Sequence, residues 1–245
     1  MCLFNQEQIY IVTGASSGLG EDVALSLNKQ GATVIAIARS LDKLEIMRSK
    51  CKFPERLHLE PRDLVEDLDG LGSFVNCLKE KYGRFAGMVY SAGVSAAIPL
   101  RAIDKQNIDS MFLVNYYAPI LMTKAVASKK NNIGQGTSIV VISSCAPILA
   151  NKGHTIYAGS KAALSTSIKC ISKEVISLGV RVNSVAPSII MTPMTDLPDF
   201  LETQKHMYPI GFGEPNDVSE LILFLLSSKS KFISGQNYII DSGGL

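Results

Sequence analysis

At 245 residues, with 47% apolar and 19% charged side chains, the chain has the profile of a globular α/β domain with a substantial core. Its formal net charge is only +2, and Lys and Arg are spread along the chain, which argues against nucleic-acid binding. The longer apolar runs, such as 139–142 and 221–226, fall far short of the roughly 18 residues of a membrane span. The N-terminal MCLFNQEQIYIVTG carries neither a basic leader nor a small-residue cleavage site, so no secretory signal is expected. Five cysteines (Cys2, Cys51, Cys77, Cys145 and Cys170) form an odd, irregularly spaced set without a CxxC. That pattern points to the cytoplasm, with thiols serving as small apolar residues, Cys145 included.

In chain order, residues 9–13 form a short apolar run, a glycine-rich turn follows, and 23–30 carries a helical pattern ended by Gly31. A β-branched strand is expected at 33–38, a helix at 41–50, a strand at 57–60 and a helix at 71–82 stopped by Gly83. Strands at 87–90 and 138–143 flank a long helical region at 104–131. A second long helix at 157–178, a strand at 180–185, a helix at 216–227 and a strand at 237–240 complete the series. Strands apolar throughout, each followed by a helix, indicate a parallel sheet covered on both faces. The expected fold is therefore a single-domain α/β, Rossmann-like, doubly wound parallel sheet spanning residues 1–245, with ligands outside the carboxyl ends of its strands. The one long irregular stretch, 187–212, contains Pro187, Pro193, Pro198 and Pro209 and reads as a substrate loop.

Thr13-Gly14-Ala15-Ser16-Ser17-Gly18-Leu19-Gly20 lies between the first strand and the first helix. Glycines at 14, 18 and 20 permit a tight turn and close approach of backbone to a pyrophosphate, and the helix N-terminus offers free N–H groups. This placement favours a bound dinucleotide over an empty turn. The GxxxGxG spacing resembles the cofactor fingerprint of the classical short-chain dehydrogenase/reductase family. The resemblance implies a nicotinamide cofactor contacted by Gly14, Ser16, Ser17, Gly18 and Leu19.

Such sites place an acidic residue at the end of the second strand for the ribose diol of NAD, whereas an arginine suits a 2′-phosphate. Here that strand ends in Arg39-Ser40, with no carboxylate until Asp42, so NADP(H) is expected over NAD(H). Asp63-Leu64 resembles the family's adenine-binding pair, although an aspartate capping a helix has the same appearance.

Tyr157 and Lys161 share one face of the long helix at i, i+4. Tyrosine ionises near pH 10, so its phenolate costs roughly 4 kcal/mol at neutrality, and a nearby ammonium favours that anion. Ser143 and Ser144 end a strand ahead of this helix, where a hydroxyl could bind a carbonyl oxygen. Ser144, Tyr157, Lys161 and Asn115 match the family's catalytic tetrad in order and approximate spacing. By that resemblance Tyr157 is the acid/base and Ser144 polarises the carbonyl. Lys161 binds the nicotinamide ribose and lowers the Tyr pKa, and Asn115 holds a water in a proton relay. The family spacing selects Ser144 over Ser143.

The resemblance covers essentially the whole chain. Asn183-Ser-Val-Ala-Pro187 with Thr192-Pro193-Met194 resembles the segment that meets the nicotinamide, implying contacts from the Ile190 backbone and the Thr192 hydroxyl. Segments 213–218, 224–228 and 234–244 are similar to 3-oxoacyl-acyl-carrier-protein reductases, a branch whose assemblies imply a homo-oligomer, tetramer or dimer. Three positions depart from the pattern. Asn-Asn-Ala-Gly is Tyr90-Ser91-Ala92-Gly93 here, with Ala92 and Gly93 retained as cofactor contacts; an Asp is Ala86; and a Gly is Ser188, expected to redirect the turn. His154 is expected to face solvent rather than substrate, and neither His58 nor His206 has clustered ligands, so no metal is expected.

The favoured activity is NADP(H)-dependent reduction of a ketone or 3-oxoacyl carbonyl, possible on an acyl thioester, or oxidation of the matching alcohol. A sugar, steroid or polyol substrate is the second reading. A non-catalytic NADP-sensing regulator is the third, and it predicts a damaged tetrad.

Overall fold

Alternation along the strands builds two cores at once. In β1 (Ile9–Thr13), Tyr10 and Val12 point into one layer and Ile11 into the other. In β2 (Thr33–Ala38), Val34 and Ala36 join the first layer, Ile35 and Ile37 the second. A sheet apolar on both faces must be covered on both, at a gain of about 1.5–3 kcal/mol for each large side chain buried.

The computed structural model describes residues 3–196 and 198–244; Cys2 and the chain's last residue lie outside them. The remaining strands are β3 (Leu57–Pro61), β4 (Phe85–Tyr90), β5 (Thr137–Ile142), β6 (Val180–Pro187) and β7 (Asn237–Ile240). They form one parallel sheet of seven strands in the order β3-β2-β1-β4-β5-β6-β7. The order reverses between β1 and β4, and there a crevice opens at the carboxyl ends. Helices α1 (Gly18–Lys29) and α2 (Leu41–Arg48) pack on one face. Helix α3 (Leu71–Tyr82) packs on the other. No helix among the described residues is long and apolar enough to cross a membrane.

The helices depart from expectation where side chains carry no apolar signal. Helix α1 begins at Gly18 rather than 23, because its first turn is the glycine loop itself and Val23 is its first buried aliphatic residue. The expected helix at 104–131 is three pieces: α4 (Lys105–Phe112), a π-turn (Leu113–Tyr117) and α5 (Ala118–Ala127). Pro119 explains the break. It has no N–H for the carbonyl of Asn115, and the Ala118 amide reaches back to Leu113 instead. A short α6 (Ala146–Leu149) precedes α7 (Thr155–Val175), and the 187–212 segment holds α8 (Pro198–Gln204) followed by a 3₁₀ turn. Helix α9 (Pro215–Leu226) packs beside α1.

Arg181 in β6 is buried at 6% exposure and donates to the Ile233 and Ser227 carbonyls, both at 3.2 Å. Two residues on, the Asn183 amide donates to the Ile233 carbonyl at 3.1 Å and accepts from the Gln236 amide at 3.0 Å. These bonds fasten the chain between α9 and β7. Replacing Arg181 by Met removes two buried charge-assisted hydrogen bonds and is expected to cost about 2 kcal/mol, lowering Tm by roughly 4–8 °C. An unchanged melting curve would show that the guanidinium is not what holds this segment.

Candidate active site

Every candidate cofactor residue lies around one cleft of about 320 Å3 at the carboxyl ends of the strands. At its centre the turn after β1 approaches the end of β4. Gly14 has φ 65°, and a Cβ there would lie 2.8 Å from the Ala92 nitrogen; one on Gly20 would lie 2.2 Å from the Gly14 carbonyl oxygen. Only glycine permits this contact. The buried Thr13 hydroxyl accepts the Ser91 and Ala92 amides at 3.1 and 3.2 Å. Ser17 stands at the N-cap of α1 but its side chain makes no capping bond, so the first amides of α1 stay open toward the cleft beside Ser16, Gly18 and Leu19.

Arg39 follows β2, is exposed, and makes no ion pair among the described residues. Opposite it lie Asp63 and Leu64. Asp63 starts no helix: its Oδ1 accepts the Val65 amide at 3.0 Å in a tight turn, and α3 begins only at Leu71. Arg62, which the sequence reading passed over, lines the same end. The only signal was its place beside Asp63 at a strand's carboxyl end.

At the other end, Ser144 follows β5, and its Oγ accepts the Ala146 amide at 3.0 Å while staying half-buried on the cleft. Ser143 is committed elsewhere: its Oγ donates to the Lys161 carbonyl at 3.2 Å and pairs with Ser165 Oγ at 2.5 Å. Tyr157 stands in the first turn of α7, with Lys161 one turn on. Burial raises the Tyr157 phenol above its ordinary value, and the Ser144 hydroxyl works the other way. Lys161 is 5% exposed, and desolvation pushes its ammonium down to about 8. Its Nζ donates to the Ile142 carbonyl at 2.9 Å. Burial thus dominates the phenol, and the ammonium is turned to a backbone carbonyl.

Asn115 does not line the cleft but is fully buried behind it, within the π-turn. Its Oδ1 accepts the Val94 amide at 3.0 Å, and its Nδ2 donates to the Val94 carbonyl at 2.9 Å and to Ser160 Oγ at 3.2 Å. Above it, a Cβ on Gly93 would lie 3.3 Å from Asn115 Oδ1 and 3.6 Å from Lys161 Nζ. Glycine at 93 therefore keeps the space between those two polar groups open.

Ile190 and Thr192 close the wall beside Ser188. The Thr192 amide donates to Thr195 Oγ1 at 3.0 Å, and that hydroxyl in turn donates to the Ile190 carbonyl. The turn expected to be redirected at Ser188 uses no positive φ there; the Ser188 amide donates to the Ile240 carbonyl at 2.8 Å, and its hydroxyl bonds the buried Tyr208 hydroxyl. Tyr90 is buried with its hydroxyl donating to the Val114 carbonyl at 3.1 Å. His154, expected to face solvent, is half-buried, with its ring edge-on to Tyr157 at 6.0 Å. Cys145 is buried, donates Sγ–H to the Ala186 carbonyl at 3.0 Å, and burial pushes its thiol up to about 12, so it packs rather than reacts.

Comparison with known proteins gives this geometry its setting. The family described as Enoyl-(Acyl carrier protein) reductase matches residues 14–244. A 3-oxoacyl-[acyl-carrier-protein] reductase of Thermotoga maritima is 35% identical over 96% of this chain and 97% of its own length. An L-xylulose reductase of Caenorhabditis elegans is 36% identical over 95% of this chain and 94% of its own. The crystal structure of a short chain dehydrogenase from Burkholderia cenocepacia in complex with NADP superposes with a TM-score of 0.90 at 27% identity, covering 98% of both chains. The chain belongs to the short-chain dehydrogenase/reductase family, nicotinamide-dependent oxidoreductases that act on carbonyl and alcohol groups.

Proposed function

We propose that the protein is an NADP(H)-dependent reductase of ketones or 3-oxoacyl carbonyls, working reversibly on the matching secondary alcohols. The observation that carries this reading is the convergence of Ser144, Tyr157 and Lys161 on one end of a cleft whose other end offers Gly14, the open amides of α1 and Arg39. The cleft suits a dinucleotide, since Gly93 leaves open the space a Cβ would fill beside Lys161 and Asn115, and Gly14 lets the turn after β1 close against Ala92. Gly14, Ser16, Ser17, Gly18 and Leu19 would hold the pyrophosphate, Arg39 the 2′-phosphate, Asp63 and Leu64 the adenine, and Ala92, Gly93, Ile190 and Thr192 the nicotinamide half. When bound, the nicotinamide supplies the hydride for reduction or accepts it in the reverse direction.

The chain's own residues then handle the oxygen and its proton. Ser144 donates a hydrogen bond to the substrate oxygen, and Tyr157, whose neutral form burial favours further, gives that oxygen a proton. Lys161 brings positive charge beside the phenolate that remains and meets the cofactor ribose. Asn115 keeps Val94 and Ser160 fixed and would hold a water at the end of a proton relay. An acyl thioester would be one substrate of this kind. A polyhydroxy ketone is the second reading, favoured by relatives named L-xylulose reductase and D-erythrulose reductase. The regulator reading loses ground, because no tetrad member is missing from the site. We assign the protein to the cytoplasm as a homo-oligomer, with the 187–212 segment as its substrate loop.

An NADPH-oxidation screen over acyl thioesters, sugars, steroids, quinones and small aldehydes tests the activity. Turnover is expected on at least one class, and Tyr157→Phe should lower it about 1,000-fold while NADPH still binds. Silence across the panel in the unmodified protein would favour the cofactor-sensing role. Because oxidation needs the phenolate, its rate should climb with pH between 7 and 9, by up to about tenfold per unit, while reduction does not rise. A flat oxidation profile with chemistry rate-limiting would remove Tyr157 as the base. Arg39→Ala should weaken NADPH about tenfold and leave NADH nearly unchanged in fluorescence titrations; an unaltered NADPH/NADH ratio would discard the phosphate role of Arg39.

A further inference from the structure

The ribose end of the cleft holds a second guanidinium, and we propose that Arg62 and Arg39 together clamp the 2′-phosphate of NADP(H); this rests on the cofactor reading above. Arg62 follows β3, the edge strand, and its backbone amide donates to the Ala38 carbonyl at 2.9 Å. It is thereby fastened to the residue that immediately precedes Arg39. Both arginines line the main cleft and also a shallow recess beside it, bordered by Pro61, Asp63, Glu66 and Asp67.

The Arg62 side chain is held yet unsatisfied. Its guanidinium lies over the Phe74 ring, 4.4 Å from the centroid, a contact that uses the face of the group and leaves its edge donors free. Its Nη2 makes a loose ion pair with Asp67 Oδ2 at 3.9 Å, beyond hydrogen-bond reach, while Asp67 Oδ1 accepts the Gly70 amide at 2.9 Å. Nε is buried with no hydrogen-bond partner among the described residues. Buried donors are ordinarily paired, so this one points to an acceptor that the folded chain does not supply. A phosphate matches the need, since a planar fork of donors meets its oxygens two at a time.

The surrounding charges show why one arginine would serve poorly. Asp63, Glu66 and Asp67 border the same recess, and Arg39 alone would receive a dianion against that negative background. Arg39 is exposed and therefore mobile in water, whereas Arg62 is stacked and partly desolvated. A positioned charge loses less freedom on binding than a solvated one. Arg62 thus supplies the fixed jaw and Arg39 the closing one.

Fluorescence titrations with NADPH and NADH, and competition by 2′,5′-ADP against 5′-AMP, test the clamp in the full-length protein and in Arg62→Ala, Arg62→Lys, Phe74→Leu and Arg39→Ala. Arg62→Ala is expected to weaken NADPH and 2′,5′-ADP about tenfold while NADH and 5′-AMP stay within about twofold. Arg62→Lys, which keeps the charge but loses the fork, should fall between, and Phe74→Leu should show a smaller loss confined to the phosphorylated ligands. If the unmodified protein binds NADH as tightly as NADPH, the cofactor reading itself fails. If it prefers NADPH but Arg62→Ala weakens all four ligands equally, or none, the clamp is overturned and the cofactor reading stands. Should Arg62→Ala not fold, as judged by circular dichroism, Arg62→Lys and Phe74→Leu decide by the same selectivity.

Discussion

The Thr13 hydroxyl accepts the amides of Ser91 and Ala92, and most of the site depends on that one junction. It joins the ends of β1 and β4, the neighbours between which the strand order reverses. The bonds draw Ala92 so close to Gly14 that no side chain fits at 14. The glycine loop is therefore held by the strand beside it as well as by its own turn. Gly93 and Val94 continue from the same loop, and Val94 is clasped on both its N–H and its C=O by Asn115. A single buried hydroxyl thus helps set the spacing between the glycine loop and the polar groups at the far end of the cleft.

Burial then sets the electrostatics of that far end. A carbonyl reductase needs its acid protonated before reaction and its lysine able to carry charge when an anion forms nearby. Desolvation moves both groups toward their neutral forms, raising the Tyr157 phenol and depressing Lys161 to about 8. The two shifts are complementary on the mechanism proposed above: a neutral Tyr157 could donate its proton, and a phenolate formed beside Lys161 would restore the ammonium's preference for its own. In its present orientation Lys161 satisfies itself on the Ile142 carbonyl, at the end of the strand that leads into Ser144. The strand thus positions both the lysine and the serine.

Much of this architecture was readable from residue order, and what escaped reading has physical causes. Strands β1, β2 and β7 could be bounded because their apolar runs are bracketed by polar or glycine residues. The start of α1 could not, since glycine and serine in its first turn bury nothing. The π-turn around Asn115 left no periodic trace beyond Pro119, and a proline alone does not distinguish a kink from a wider turn. The four tetrad candidates were found by their resemblance to a family motif in order and spacing, whereas Arg62 was not, because its meaning lies in what fails to touch its Nε. Spacing identifies residues that share an element; it does not report a donor left without an acceptor.

The departures from the family pattern bear on how far a motif may vary before its geometry changes. Tyr90 stands where an asparagine is usual, and its hydroxyl reaches the Val114 carbonyl, bracing the π-turn from β4. Ser188 stands where a glycine is usual, and its backbone never visits the conformation that glycine would license. Instead its hydroxyl pairs with Tyr208, which is itself packed against Phe212 with ring centroids 5.3 Å apart. Each of these two side chains ties the cleft to a neighbouring segment. The cleft walls are thereby linked to the π-turn on one side and to the 187–212 segment on the other. Tyr208 thus ties the 187–212 segment to the cleft wall at Ser188, so the position of that segment and the shape of the cleft are fixed together.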